Sequence, residues 1–85
     1  MRQMQASMRT LMKNLTDVPQ GTRVRVRHLQ SIPELCSRLR ELGFCEDAVV
    51  RCVVNGSRQL ICEVCNTRIG MHHSIARTIL VTPYE

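Results

Sequence analysis

The chain has 85 residues, a formal net charge of +5 and five cysteines. That length makes one domain whose small core leaves folding only a few kcal/mol from zero and little room for an elaborate active site. With one Phe, one Tyr and no Trp, base stacking on single-stranded nucleic acid, which needs aromatic platforms, is poorly supported. An odd cysteine count, no uninterrupted apolar leader and no run approaching a membrane span point to a cytoplasmic protein with reduced thiols.

The charge is uneven along the chain. Residues 1–27 hold Arg2, Arg9, Lys13, Arg23, Arg25 and Arg27 against Asp17 alone, whereas the remainder balances its basic and acidic side chains. A basic first third suits a polyanionic neighbour, whether an acidic protein face, lipid head groups or nucleic acid; the plain alternative is a solubilising surface.

Residues 1–16 place Met1, Met4, Met8, Leu11, Met12 and Leu15 at helical spacings, with Arg2, Arg9 and Lys13 among the polar positions. That pattern fits a basic amphipathic helix for a membrane surface or a partner's groove. It equally fits a frayed terminal helix packed on the fold, or extra residues ahead of a start at Met8 or Met12. The extension is bounded at residues 1–14 and the folded domain at 15–85.

Asp17 to Gly21 is a turn, bracketed by Pro19 and Gly21. Thr22 to Leu29 then alternates strictly, with Val24 and Val26 on one face and an arginine ladder, Arg23, Arg25 and Arg27, on the other. The ladder is either solvated or waiting for an anionic partner. His28, near the strand end, reads as a satisfied structural histidine.

Ser31 to Phe44 reads as the helix around which the chain is organised. Ser31 and Glu34 have the spacing of a capping box, Pro33 fits the first turn, and Gly43 supplies a left-handed stop. Ile32, Leu35, Leu39 and Leu42 form the apolar stripe. A helix this short must lay that stripe on a sheet. Cys45 to Asp47 is a tight link, Ala48 to Val54 a β-branched strand and Asn55-Gly56 a turn. Leu60 to Cys65 and Arg68 to His72 flank Asn66-Thr67 as a hairpin, with Leu60, Cys62, Val64, Ile69 and Met71 on its inner face. Ser74 to Thr78 is a helical turn and Ile79 to Thr82 the last strand. The expected fold is mostly β, with about five strands and one α-helix inserted after the first.

Cys62 and Cys65 form a Cys-x-x-Cys, and His72 and His73 lie where the hairpin brings them back toward it. Zinc or iron would need these four to converge. Alternation opposes that, because residues three apart on a strand point to opposite faces, so Cys62 belongs to the core and Cys65 to the surface unless a bulge near Asn66 unites them. A thioredoxin-type redox role would require a helix N-terminus beside the thiols, and here they sit in a strand. Cys36, Cys45 and Cys52 read as small apolar fillers. No phosphate-cradling loop, nucleophile elbow or paired-carboxylate signature is present, so catalysis has no support.

The succession of Gly21-Thr22-Arg23-Val24-Arg25-Val26, Arg38-Leu39-Arg40-Glu41-Leu42-Gly43-Phe44, Val50-Arg51-Cys52-Val53, Thr67-Arg68-Ile69-Gly70-Met71 and Ala76 with Ile79-Leu80-Val81 resembles the bacterial ferrous iron transport protein A (FeoA) family. The resemblance runs from about Leu15 to Thr82. It implies a small SH3-like β-barrel and a cytoplasmic, non-enzymatic accessory of ferrous iron uptake that acts on the membrane GTPase permease, ferrous iron transport protein B. It implies no required cofactor, leaving zinc or iron at Cys62, Cys65, His72 and His73 as the alternative function. Where family members carry Pro-Gly after the Leu-Gly-hydrophobic segment, this chain has Glu46-Asp47; Asp47 must then take up the positive φ of that turn. The loop Asn55 to Arg58 is also shorter than is common in the family. The same barrel occurs as a terminal domain of metal-dependent transcription regulators, but this chain has no helix-turn-helix and a DNA-binding role is not expected. The expected docking residues are Arg23, Arg25, Arg27 and Arg38, with Leu39 and Leu42 serving either the core or a groove beside the helix; a homo-oligomer is compatible with the sequence.

Overall fold

The computed structural model describes residues 12–84. In chain order the elements are β1 (Lys13–Asn14), a 3-10 turn (Leu15–Asp17), β2 (Arg23–Leu29), α1 (Pro33–Glu41), β3 (Val49–Asn55), β4 (Gln59–Val64), β5 (Thr67–His72), α2 (His73–Ala76) and β6 (Ile79–Pro83). The six strands form one sheet in the order β1-β6-β2-β3-β4-β5, antiparallel throughout. The expected mostly-β, SH3-like architecture is therefore present, with one strand more than the five expected. The additional one is β1, whose Lys13 and Asn14 pair with Val81 and Leu80. Lys13 and Asn14 are thus extended rather than helical, and the remainder of the proposed N-terminal helix, residues 1–11, lies outside the described residues.

Strand β2 alternates as expected only as far as Val26. A register shift against β6 between Val26 and His28 turns both Arg27 and His28 outward and lets Leu29 return to the core. Without that bulge Leu29 would share the arginine face. His28 is consequently exposed and is not the satisfied core histidine its position suggested.

The helix begins one residue later than a Ser31 cap would place it. Pro33 holds the residue before it in extended backbone, so Ile32 becomes the N-cap, at φ −66° and ψ 151°, with no side-chain cap. The Ser31–Glu34 capping box does not form, and the Ser31 carbonyl instead accepts from Cys36 Sγ at 3.4 Å. At the other end Gly43, at φ +110°, closes the helix as foreseen. Phe44 N–H donates to the Leu39 carbonyl at 2.9 Å and Gly43 N–H to that of Arg40 at 3.0 Å, the paired bonds of a Schellman ending. The buried face of α1 is Cys36 and Leu39, with Leu35 packed at its margin. Ile32 and Leu42, the two ends of the anticipated stripe, are 62% and 48% exposed. The helix therefore rests on the fold by its middle turn, and the core belongs to the sheet.

That core is Val24, Val26 and Leu29 of β2, Val50 and Cys52 of β3, Leu60, Cys62 and Val64 of β4, and Ile79 and Val81 of β6, closed by Leu15, Val18, Phe44 and Ala76. The hairpin register is the one the alternation implies: Leu60 faces Met71, Cys62 faces Ile69 and Val64 faces Thr67. Its turn is Cys65-Asn66, at φ 51° and 61°, one residue earlier than Asn66-Thr67. Two successive positive φ angles are what a two-residue hairpin turn requires. Asn55 does more than mark a turn. Its amide donates to the carbonyls of Thr16 at 3.0 Å and Val18 at 2.9 Å, clamping the end of β3 onto the 3-10 turn.

Candidate partner-docking face

Because β2 alternates, burying Val24 and Val26 forces Arg23 and Arg25 onto the opposite face, and the bulge adds Arg27. These three are not equivalent. Arg27 forms an ion pair with Asp47 Oδ1 at 2.6 Å and donates from Nε to Thr82 Oγ1 at 2.9 Å. Arg25 donates to the Asp47 carbonyl at 3.0 Å. Asp47 itself is at φ +72°, the conformation expected of it in place of glycine. The turn that replaces Pro-Gly thus presents a carboxylate and a carbonyl to the ladder.

Tyr84 covers what is left. The guanidinium carbons of Arg23 and Arg25 lie 5.1 Å and 5.2 Å from its ring centroid, within cation–π range. Among the described residues Arg23 and Arg25 enter no ion pair. Of the three ladder residues, these two carry the free positive charge.

The helix side of the expected site divides. Arg38 is exposed beside Ile32, Glu34 and Leu35, which line a shallow depression of about 340 Å³. Leu42 is exposed, but Leu39 is 3% exposed and belongs to the core, so it cannot line a contact groove. Its neighbour Arg40 pairs with Glu46 at 3.1 Å; the hydrogen bond between them holds the Glu46 carboxyl below the usual carboxylate range and raises Arg40.

The four thiol and imidazole candidates do not assemble. Cys62 is fully buried opposite Cys52, and burial pushes its thiol up to about 12, with Cys52 adding to the effect. Such a thiol resists becoming the thiolate a metal needs. Cys65 is exposed in the hairpin turn. His72 Nδ1 accepts from Ser74 N–H at 3.2 Å, capping α2, so that lone pair is committed. Alternation separates Cys62 from Cys65, and the turn brings no bulge that unites them. Among the described residues no group of three or more His, Cys, Asp or Glu is placed to hold a metal ion.

One contributor to the charged face, Tyr84, escaped the sequence reading, as did the cross-strand alignment of three others. Tyr84 follows the last strand, and nothing in its position announces the two arginines beneath it. Arg51, Glu63 and Arg68 could be placed on the outer face by alternation with Cys52, Cys62 and Ile69, but their alignment across strands depends on hairpin register.

A small antiparallel sheet with an SH3-like course, a buried aliphatic face and a charged outer face defines a compact β-domain. Residues 13–83 match the model of the FeoA domain, and the chain belongs to the FeoA domain family. Among solved structures it is similar to Stenotrophomonas maltophilia FeoA complexed with zinc, described as an SH3 domain protein, at 32% identity over 80% of this chain and 87% of that one, with a TM-score of 0.70. The crystal structure of an iron uptake regulatory protein (FeoA) superposes with a TM-score of 0.81 at 15% identity, covering 86% of this chain and 99% of the other. A manganese-dependent transcriptional repressor shares the fold over 37% of its own length, with a TM-score of 0.77, 14% identity and 86% of this chain covered. A comparison with curated proteins finds no match. The family and the SH3-like fold are those expected from the sequence.

Proposed function

We propose that this chain is a non-enzymatic accessory module of ferrous iron uptake, docking on and modulating the membrane iron-permease GTPase from its cytoplasmic side. Membership of the FeoA domain family supports a role in ferrous iron transport. The Stenotrophomonas relative, proposed as a bacterial ferrous iron transport activating factor, points the same way. In this reading membrane association comes through the partner; among the described residues no helix is long and apolar enough to cross a membrane. The observation that carries the docking reading is the outer face of β2, where Arg23 and Arg25 present charge that no carboxylate in the described chain neutralises. Leu42 and Arg38, exposed on α1, form a second and smaller contact.

The test is a pull-down with the cytoplasmic part of the cognate permease at two ionic strengths, because exposed charge contacts are screened within about 10 Å at 0.1 M salt. Capture that weakens as salt rises and is lost in an Arg23→Ser, Arg25→Ser variant still folded by circular dichroism is the expected result. Capture indifferent to both changes moves the interface to α1, and no capture of the parent chain removes the docking role.

A further inference from the structure

The sheet register assembles a row that no single strand reveals. Arg23 on β2 lies opposite Arg51 on β3, Arg51 opposite Glu63 on β4, and Glu63 opposite Arg68 on β5. Three guanidiniums and one carboxylate thus cross four strands on the outer face. Like charges directly opposed across an antiparallel pair destabilise it, and a domain of this size has little stability to give away. Glu63 offsets only part of the surplus, pairing with Arg51 Nη2 at 3.2 Å. Among the described residues Arg23 and Arg68 form no ion pair, and Arg51 Nε is covered yet has no hydrogen-bond partner.

A shallow groove of about 600 Å³ follows this row, lined by Gly21, Arg23, Arg51, Glu63 and Asn66 among others. Gly21, at φ +84°, has open space where a side chain would begin, so an incoming backbone can lie close to the strand. The groove therefore combines the unpaired Arg23 guanidinium, room for an extended chain, and one carboxylate already in place.

We propose that this groove is a carboxylate-recognition subsite, taking an Asp or Glu side chain from an acidic, extended segment of a protein partner. The proposal rests on the docking reading and names what the basic face recognises. A carboxylate has the planar two-oxygen edge that a guanidinium fork matches. It places one charge beside Glu63, where a phosphate group would bring up to two into the same space. The incoming group pairs with Arg23, while Arg51, held by Glu63 and with its Nε covered, adds its charge to the subsite.

The experiment is a titration of the ¹⁵N-labelled full chain with hexaglutamate, following backbone amides and arginine Nε–Hε resonances. Inorganic phosphate and vesicles of phosphatidylcholine with phosphatidylglycerol serve as competing anion sources. Saturable shifts at Gly21, Arg23, Arg51 and Asn66 are expected, with Arg23→Gln weakening binding at least fivefold and Arg77→Gln, at an exposed arginine outside the groove, leaving it within twofold. Arg51→Gln, which removes the charge beside Arg23, should also weaken binding at least fivefold. The proposal is overturned by shifts spread evenly over the exposed arginines, by equal losses in Arg23→Gln and Arg77→Gln, or by phosphate or vesicles moving the same resonances as strongly. The permease pull-down separates the two readings. A permease still captured by folded Arg23→Gln sinks the subsite and leaves docking intact, whereas specific hexaglutamate binding by a chain that captures no permease sinks docking and leaves the subsite.

Discussion

The two faces of the same strands obey different rules. On the inner side of β2, β3 and β4 stand Val24, Val26, Val50, Cys52, Leu60, Cys62 and Val64, all buried and none bearing a charge. On the opposite side of the pleat, the outer face carries Arg23, Arg25, Arg51 and Glu63, with Arg23 placed opposite Arg51 and Arg51 opposite Glu63. The inner face is arranged as a fold needs it; the outer face is arranged less well than stability alone would favour. That contrast is the physical argument for a partner, because a surface selected only for solubility gains nothing from aligning two arginines.

The contrast predicts that inner-face changes act on stability and outer-face changes on binding. Phe44 is the largest fully buried side chain, seated where the helix ending meets the sheet. Phe44→Ala should cost about 3–5 kcal/mol, the range for truncating a buried aromatic, and in so small a domain that is enough to leave much of the chain unfolded at 25 °C. Urea denaturation measures it. A loss below about 1 kcal/mol would mean that the interior is not packed as the structure shows.

A smaller effect, specific to one inner-face atom, comes from pH. Burial pushes the Cys62 thiol up to about 12, while an unfolded chain releases that proton near the ordinary thiol value of about 8.5. Below that value both states hold the proton, and the contribution is fully present. As pH rises from there toward 12, the unfolded chain deprotonates while the folded one does not, so stability falls, by about 1.4 kcal/mol per pH unit at most. Cys62→Ala should flatten that part of the curve relative to the parent. Equal slopes in the two proteins would place the thiol in contact with solvent and erase the difference between Cys62 and Cys65.

Legibility in the sequence followed the same division. Period-two alternation in LICEVC and RVRV sorted inner from outer residues correctly, because a pleated strand leaves no other choice. The helix ending was readable for an equally local reason, since Gly43 is a backbone requirement; the positive φ that Asp47 adopts came instead from the family resemblance, which puts Pro-Gly there. What failed was everything that a neighbouring residue or a distant strand decides. Pro33 displaced the cap from Ser31, and the Arg27 bulge reversed the faces of His28 and Leu29. Of the two roles open to Leu39, core or groove, its burial beside Cys36 selects the core. On the candidate site, the arginine ladder was visible as composition, but its division into paired Arg27 and free Arg23 was not. Asp47 and Tyr84 lie 20 and 57 residues from Arg27, respectively, and only the folded sheet brings Asp47 to Arg27 and Tyr84 over Arg23 and Arg25.

The smallest expected effect sharpens the comparison most, because its sign carries the information. Arg23→Gln removes one member of the opposed Arg23–Arg51 pair, relieving a repulsion of roughly 0.2–1 kcal/mol. It also removes one of two guanidiniums over Tyr84, at 5.1 Å, while Arg25 remains there at 5.2 Å, so the ring stays covered and only part of an exposed cation–π contact of about 0.5–1 kcal/mol is lost. The two terms nearly cancel, and salt separates them. At low ionic strength the variant should match or slightly exceed the parent in thermal stability; near 1 M salt, where screening reaches about 3 Å, the repulsion disappears and the parent should draw level or ahead. Were the variant less stable by more than about 1 kcal/mol at both salts, Arg23 would be a structural residue anchoring Tyr84, and the outer face would lose its claim to be shaped by a partner. A neutral or stabilising change that also weakens capture of the permease is the outcome in which the two faces part company: one residue dispensable to the fold and needed for what the fold presents.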